Sequence, residues 1–130
     1  LIKNDNSEEI TEKVIVRLKE AGLLDDQRFA KMWIENRNEY RPRSLRALKF
    51  EMRQHGIEEE LIEQSLGSVD EQEIAYKAAQ KYARKLENLD WQEFRQKLYG
   101  YLGRRGFNYA ISADVIQKVW DENNHPNTDE

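Results

Sequence analysis

The chain repeats one pattern of residues along its length, and this repetition restricts the fold more than any other feature of the sequence. The segment 25–30 resembles 70–75, and the segment 48–57 resembles 98–107, so similar residues return after 45 to 50 positions. A repeat of this period is typical of tandem supersecondary units that bury their hydrophobic faces against one another. We therefore predict two complete units, preceded by part of another.

Apolar residues inside each unit recur at intervals of three and four, as they do on one face of an α-helix. No segment alternates convincingly with a period of two, so the prediction is an all-α fold. Asp25, Asp70 and Asp90 precede apolar-periodic segments and are predicted N-caps. The predicted helices cover 7–21, 26–39, 43–55, 58–66, 71–87, the segment that Asp90 opens and that ends near Gly106, and 109–123.

These helices divide the chain into four parts. They are the closing helix of a truncated first repeat over 1–23, a second three-helix repeat over 24–68, a third three-helix repeat over 69–123, and a disordered polar tail over 124–130. In the first helix, the buried stripe is expected to include Val14 and Leu18. Aromatic residues on the other apolar stripes are also predicted to lie in the core, namely Phe29, Trp33, Tyr82, Phe94, Phe107 and Trp120.

The sequence offers little for catalysis or for binding a metal or cofactor. It contains no cysteine, which excludes disulfides and thiolate metal sites, and its two histidines, His55 and His125, lack metal-ligand spacing. His55 lies beside a helix-ending glycine, where we expect it to hydrogen-bond terminal carbonyls. The acidic run 58–60 begins a helix, where carboxylates favour the helix dipole. We therefore predict a protein that is not an enzyme and that uses no metal and no cofactor.

Charge is distributed in blocks along the chain, although the formal net charge is only −4. The segment 28–56 contains eight cations and three anions, whereas 57–75 contains seven anions and no cation. The predicted helix 43–55 presents a broad basic face formed by Arg43, Arg46, Lys49 and Arg53. Guanidinium groups bind carboxylates and phosphates through forked hydrogen bonds, so this face is a candidate binding surface. A merely solvated helix face is the alternative.

The next unit carries a matching cluster, formed by Tyr99, Tyr101, Arg104 and Arg105. Its aromatic residues suit a stacking or interface role. Arg37 differs from these cations because it shares a helix face with Phe29 and Trp33. We predict a structural role for Arg37, with its stem packed and its head bonded to helix carbonyls or to an acid such as Asp26.

Several segments together resemble the RecX family, whose members regulate the bacterial recombinase RecA. They are Leu24-Asp25-Asp26-Gln27-Arg28-Phe29-Ala30, Arg37, Gly56-Ile57 after the basic helix, and Leu102-Gly103-Arg104-Arg105-Gly106-Phe107. Each segment alone is unspecific, and the resemblance depends on their order and spacing. It covers roughly Ile10 to Trp120.

This resemblance implies tandem three-helix repeats, usually three, in an elongated, curved molecule. It also implies a cytoplasmic, non-enzymatic inhibitor that binds in the groove of the RecA–DNA filament and suppresses ATP hydrolysis and strand exchange. Such a protein acts in DNA recombination, DNA repair and the SOS response. The resemblance leaves open whether single- or double-stranded DNA is a second partner. No apolar run approaches the ~18 residues that span a bilayer, so we expect no membrane partner, and we expect a monomer.

The sequence departs from the family pattern in two places. The two helices expected before Ser7 are absent, so we expect a fragment that lacks the start of the first repeat. Family members often have a Gly-Pro turn before the basic helix, whereas Ser44-Leu45 stands there in this chain. The expected partner-binding residues are Arg43, Arg46, Lys49, Arg53, Tyr99, Arg104 and Arg105. The alternative function is a helical DNA-binding module that acts directly on DNA through its basic helices.

Overall fold

The structure is a computed structural model that describes residues 2–124, with side chains from residue 11 onward. This part of the chain forms seven α-helices and no strand, which confirms the predicted all-α fold. The predicted tail at 125–130 lies outside the described residues, and Asn124 is the last residue of α7. The helices are α1 (Ile2–Glu20), α2 (Asp26–Tyr40), α3 (Leu45–Gln54), α4 (Glu59–Leu66), α5 (Glu71–Ala83), α6 (Trp91–Arg104) and α7 (Tyr109–Asn124).

Aspartate side chains cap three of these helices, as the sequence predicts. The carboxylates of Asp25, Asp70 and Asp90 accept backbone N–H groups three residues later, at 2.8, 3.1 and 2.9 Å. Each bond satisfies a donor that the first helical turn leaves without a partner. Asn108 caps α7 in the same way, accepting the N–H of Ile111 at 2.9 Å. This fourth cap was not among the predicted ones.

Two helix ends differ from the prediction. Helix α3 begins at Leu45 rather than at residue 43. The backbone N–H of Ser44, just before the helix, donates to the carbonyl of Arg105 at 3.1 Å. Helix α5 ends at Ala83 rather than at residue 87. The chain then turns through Asn88, whose φ of 69° lies in the left-handed region that helices do not use. Both differences shorten the basic helices at their ends.

The described helices belong to two compact units, one of Leu1–Pro42 with Arg46–Val69 and one of Arg43–Leu45 with Asp70–Glu130. In the first unit, α1 and α4 pack against α2. Phe29, Leu48, Met52 and Ile62 are fully buried there. Burial of large apolar side chains is the main stabilising contribution in such a small unit.

One prediction for the core of the first unit is wrong. Val14 is 47% exposed, and its neighbour Ile15 is buried with 2% exposure. Leu18 is half-buried. Adjacent helical positions differ by about 100° around the axis, so the buried stripe of α1 lies one position further along than the periodicity indicates.

In the second unit, α5, α6 and α7 all pack against one another. Small residues of α5 let the other two helices approach closely, and Phe94 and Phe107 fill the space between them. Tyr82 and Trp120, which were predicted to be core residues, are only partly buried at its edge. The fully enclosed positions of α5 are occupied by Ala75, Ala78, Ala79 and Ala83.

Candidate functional site

Helix α3 carries three of the predicted contact residues, and α4 neutralises two of them. The Nζ atom of Lys49 lies 3.6 Å from a carboxylate oxygen of Glu63. The guanidinium of Arg53 donates two hydrogen bonds to Glu59, from Nε at 2.9 Å and from Nη2 at 2.7 Å. These bonds lower the pKa of Glu59 and raise the pKa of Arg53. The acidic residues of α4 therefore compensate part of the basic face.

The other two predicted cations of this group are placed differently. Arg46 is exposed on α3. Arg43 precedes the helix and belongs to the second compact unit, so it does not lie on the helical face that the sequence predicts. The basic face of α3 consequently consists of Arg46, Lys49 and Arg53.

Phe50 is an exposed aromatic residue on the same helix and was not among the predicted contact residues. Its side chain is 60% exposed, and it lies four residues after Arg46 and three before Arg53, a spacing that places all three on one face. The helical periodicity of the sequence indicates that Phe50 is exposed, because Phe50 falls outside the apolar stripe of Leu45, Leu48 and Met52. Arg46, Phe50 and Arg53 therefore form one exposed stripe, which we call the α3 stripe.

Helix α6 positions Tyr99 in a second arrangement. The rings of Tyr99 and Tyr109 are 5.2 Å apart between centroids and inclined by only 3°, and the guanidinium carbon of Arg95 lies 5.4 Å from the Tyr99 centroid. Burial, followed by the hydrogen bond with Tyr109, raises the pKa of Tyr99. Tyr109 itself is 69% exposed. We call Arg95, Tyr99 and Tyr109 the tyrosine platform.

Tyr101 lies in a different contact, so the structure separates the predicted aromatic cluster. The Tyr101 ring stacks on Tyr82 with 4.1 Å between centroids, and the guanidinium carbon of Arg105 lies 4.0 Å from the Tyr101 centroid. Residues two apart on a helix point about 200° apart, which directs Tyr99 and Tyr101 to opposite sides of α6. Arg105 therefore joins Tyr101, and the structure does not bring it together with Tyr99.

Arg104 is the remaining predicted contact residue, and it is exposed. A Cβ atom added to Gly100 would lie 3.3 Å from the Nη1 atom of Arg104. The Arg104 side chain thus extends back along α6 and covers Gly100, the residue that follows Tyr99. This direction is the usual one for a long helical side chain.

The cations around α6 lack the compensation found in the first unit. Within the part of the chain that the structure describes, Arg95, Lys97, Arg104 and Arg105 form no ion pair. Arg95 and Arg105 contact tyrosine rings instead. An aromatic ring does not cancel the charge of a cation, so this surface keeps its positive charge.

Arg37 has the structural role that the sequence predicts, but not with the predicted partner. It is buried, its guanidinium pairs with Glu12 and with Glu51, and it lies 4.7 Å from the Trp33 ring centroid. Trp33 Nε1 donates to the same Glu51 carboxylate at 2.9 Å. The predicted acid, Asp26, pairs instead with Lys19 at 3.5 Å.

His55 packs against aromatic rings, contrary to the expected bonding with terminal carbonyls. Its ring centroid lies 5.3 Å from that of Phe29 and 4.9 Å from that of Trp33. Burial, reinforced by the nearby charge of Lys19, lowers the pKa of His55. The side chain is therefore part of the packing of the first unit.

The described residues contain no group of three or more histidine, aspartate or glutamate side chains arranged to hold a metal ion. Among them, no helix is both long enough and apolar enough to cross a membrane. The surfaces that the geometry singles out are therefore the α3 stripe and the tyrosine platform, each formed by cations and exposed aromatic rings.

Comparisons with known proteins identify both units. Residues 25–66 match the family model for the second three-helix domain of RecX, and residues 70–120 match the model for its third three-helix domain. The chain is 33% identical over 125 residues to the regulatory protein RecX of Streptomyces coelicolor, covering 94% of this chain and 66% of that protein. It is 32% identical over 114 residues to that of Amycolatopsis mediterranei, covering 85% and 65%.

A third relative extends the comparison beyond these two organisms. The regulatory protein RecX of Prosthecochloris aestuarii is 34% identical over 122 residues, covering 94% of this chain and 78% of that protein. The chain spans about two thirds of the length of the first two relatives. No solved structure matches the chain. The two domain matches and these relatives show that the chain belongs to the RecX family.

Proposed function

We propose that this chain regulates the RecA recombinase by binding to it and that it is not an enzyme. The observation that carries the proposal is the match of two consecutive segments to the second and third three-helix domains of RecX. The relatives are named regulatory proteins, which supports a regulatory role for this chain. A cytoplasmic location follows from this partner. We also propose that the chain is a monomer.

The proposal includes inhibition of the recombinase by binding in the groove of its filament on DNA. A recombinase filament is periodic, and corresponding helices of the two units, α3 and α6, both carry exposed cations. The proposed repeats are 24–68 and 69–123. The proposed contact residues are Arg43, Arg46, Lys49, Arg53, Tyr99, Arg104 and Arg105.

The α3 stripe supports a protein partner for the first unit. Glu59 and Glu63 lie against Arg53 and Lys49, and their carboxylates would repel the phosphates of DNA. Phenylalanine and arginine, in contrast, are both enriched in protein interfaces, and here they lie beside each other on an exposed surface. The net charge of −4 also weighs against direct DNA binding as the main function.

A RecA ATPase assay tests this proposal. The purified chain is added to RecA assembled on single-stranded DNA, and the rate of ATP hydrolysis is measured as the concentration of the chain increases. We expect the rate to fall and to reach a plateau at saturation. An unchanged rate, in an assay where a full-length RecX from a relative lowers it, would contradict the proposal.

A further inference from the structure

The tyrosine platform has the geometry of a stacking surface. Tyr99 covers one face of Tyr109, and Tyr109 nevertheless remains 69% exposed, so its other face is open to a planar ligand. The two rings are inclined by only 3°, so a planar group that stacks on Tyr109 would extend the same stack. Aromatic rings contribute to the binding of single-stranded nucleic acids because every base has a π-face that can stack on them.

Uncompensated cations flank this surface. Arg95 lies over Tyr99, so its guanidinium group lies next to the stacked rings. Arg104 covers Gly100, which is turned by about 100° around α6 from Tyr99. Neither has an ion-pair partner among residues 11–124. A phosphate backbone binds where a cation is free to replace its counterions, and Arg95 meets that condition beside the rings.

The first unit shows the opposite chemistry at the corresponding positions. Lys49 corresponds to Tyr99 in the internal repeat, and Glu59 and Tyr109 are each the first residue of the last helix in their unit. In the first unit these positions belong to ion pairs, Lys49 with Glu63 and Arg53 with Glu59. In the second unit they hold a pair of stacked rings. The corresponding surface is therefore charge-compensated in the first unit, whereas in the second unit it is aromatic and positively charged.

We propose that the tyrosine platform binds single-stranded nucleic acid directly, with one base stacked on Tyr109 and the adjacent phosphate bound by Arg95. Tyrosine and arginine also occur in protein interfaces, and the binding test below distinguishes that occupant from a nucleic acid. The contact needs no recombinase. It therefore goes beyond the proposed regulation and can succeed or fail independently of it.

The test is a binding titration that contains no recombinase. Fluorescence anisotropy follows a labelled oligothymidine of about 12 nucleotides in salt from about 50 to 200 mM, and an oligouridine of equal length distinguishes DNA from RNA. We expect Tyr109→Ala to weaken binding roughly tenfold and Tyr109→Phe to retain it, because stacking requires the ring and not the hydroxyl. Arg95→Gln should reduce the dependence of log K on log salt by about 0.7, the value for one phosphate on a single strand.

Two matched variants serve as controls. Tyr40→Ala removes an exposed tyrosine of the first unit, and Lys81→Gln removes an exposed cation of α5 with the same change of charge as Arg95→Gln. Both should bind like the unchanged chain. Thermal melting followed by circular dichroism establishes that Tyr109→Ala is folded, as expected for a residue that is mostly exposed.

Three results would overturn the proposal. One is the absence of oligonucleotide binding by the unchanged chain at low salt. Another is equal binding by the unchanged chain and by folded Tyr109→Ala. The third is a Tyr109→Ala variant that binds the oligonucleotide normally and loses inhibition of the recombinase, because this surface would then contact protein. The first two results do not depend on whether the chain inhibits ATP hydrolysis.

Discussion

Arg37 is the one buried cation among the described side chains, and three helices hold it in place. Glu12 of α1 and Glu51 of α3 pair with its guanidinium, while Trp33 of α2 lies against it and shares Glu51. Removing one member of a buried ionic group leaves the other charges without compensation. The resulting loss of stability is larger than the stability that the intact group contributes. Arg37 is therefore a central structural residue of the first unit.

We expect Arg37→Met to lower the free energy of unfolding by about 2–4 kcal/mol, since Glu12 and Glu51 would be left partly buried and unpaired. Urea denaturation followed by circular dichroism measures the change. Arg28→Met is the matched control, because Arg28 is exposed on the same helix. Its replacement should change the free energy of unfolding by less than about 0.5 kcal/mol. Equal midpoints for the two variants would contradict the role assigned to Arg37.

His55 makes the stability of the first unit depend on pH. Its pKa in the folded chain is lower than in the unfolded chain, so the unfolded chain binds the proton more tightly. The contribution of neutral His55 is therefore complete above pH ~7.5 and is lost as the pH falls from the unfolded pKa of ~6.5 through the lower pKa of the folded chain. We expect His55→Phe, which keeps an aromatic ring against Phe29 and Trp33, to lose less stability than the unchanged chain between pH 8 and 5.5.

Melting temperatures of both proteins across this pH range provide the measurement. The comparison isolates His55, because the carboxylates that also titrate at low pH are present in both proteins. If the two melting curves shift in parallel as the pH falls, His55 does not titrate with a lowered pKa in the folded chain.

At the scale of single helices, aspartate caps mark where three helices begin, α2, α5 and α6. The cap of α6 matters most for the candidate site, because the start of this helix sets the positions of Arg95, Tyr99 and Arg104 along it. The Asp90 carboxylate accepts the N–H of Glu93 at 2.9 Å and leaves that donor satisfied. An uncapped α6 would lose order in its first turn, one turn before Arg95.

We expect Asp90→Ala to reduce the free energy of unfolding by about 1 kcal/mol, because the Glu93 N–H loses its acceptor. Asp90→Asn should cost much less, since an asparagine oxygen caps nearly as well. Chemical denaturation of the three proteins measures both effects. Similar losses for alanine and asparagine would show that the charge of Asp90, and not its hydrogen bond, stabilises the helix.

At the scale of the whole molecule, the two units carry the same helical pattern with different surfaces. The first unit pairs its cations with carboxylates of α4 and exposes Phe50, whereas the second leaves the cations of α6 unpaired beside stacked tyrosines. A net charge of −4 conceals this difference. The proposed contacts differ accordingly, because the α3 stripe is proposed to bind the recombinase and the tyrosine platform is proposed to add a contact with nucleic acid.

If the α3 stripe binds the recombinase, Phe50→Ala should raise the concentration needed for half-maximal inhibition of ATP hydrolysis about tenfold, or ~1.4 kcal/mol. Its exposure means that the change leaves the melting temperature nearly unaltered. Tyr40→Ala, which truncates another exposed aromatic residue of the first unit, should inhibit normally. Normal inhibition by Phe50→Ala would remove the α3 stripe from the proposed interface.

The sequence by itself determined the features that depend on neighbouring residues. Periodicity predicted the all-α fold, and the aspartates at 25, 70 and 90 predicted three helix starts, because a cap and its N–H lie only three residues apart. The position of Arg37 on an aromatic face likewise predicted its structural role. Each of these features follows from the geometry of a single helix.

Only the tertiary structure decided which side chains meet across helices. Glu12 and Glu51 replace Asp26 as the partners of Arg37, and Tyr109 joins Tyr99 while Tyr101 turns away. Such contacts depend on how each helix is rotated against its neighbours, and one position along a helix changes the direction of a side chain by about 100°. Core packing sets that rotation, so residues far apart in sequence meet only once the helices have packed.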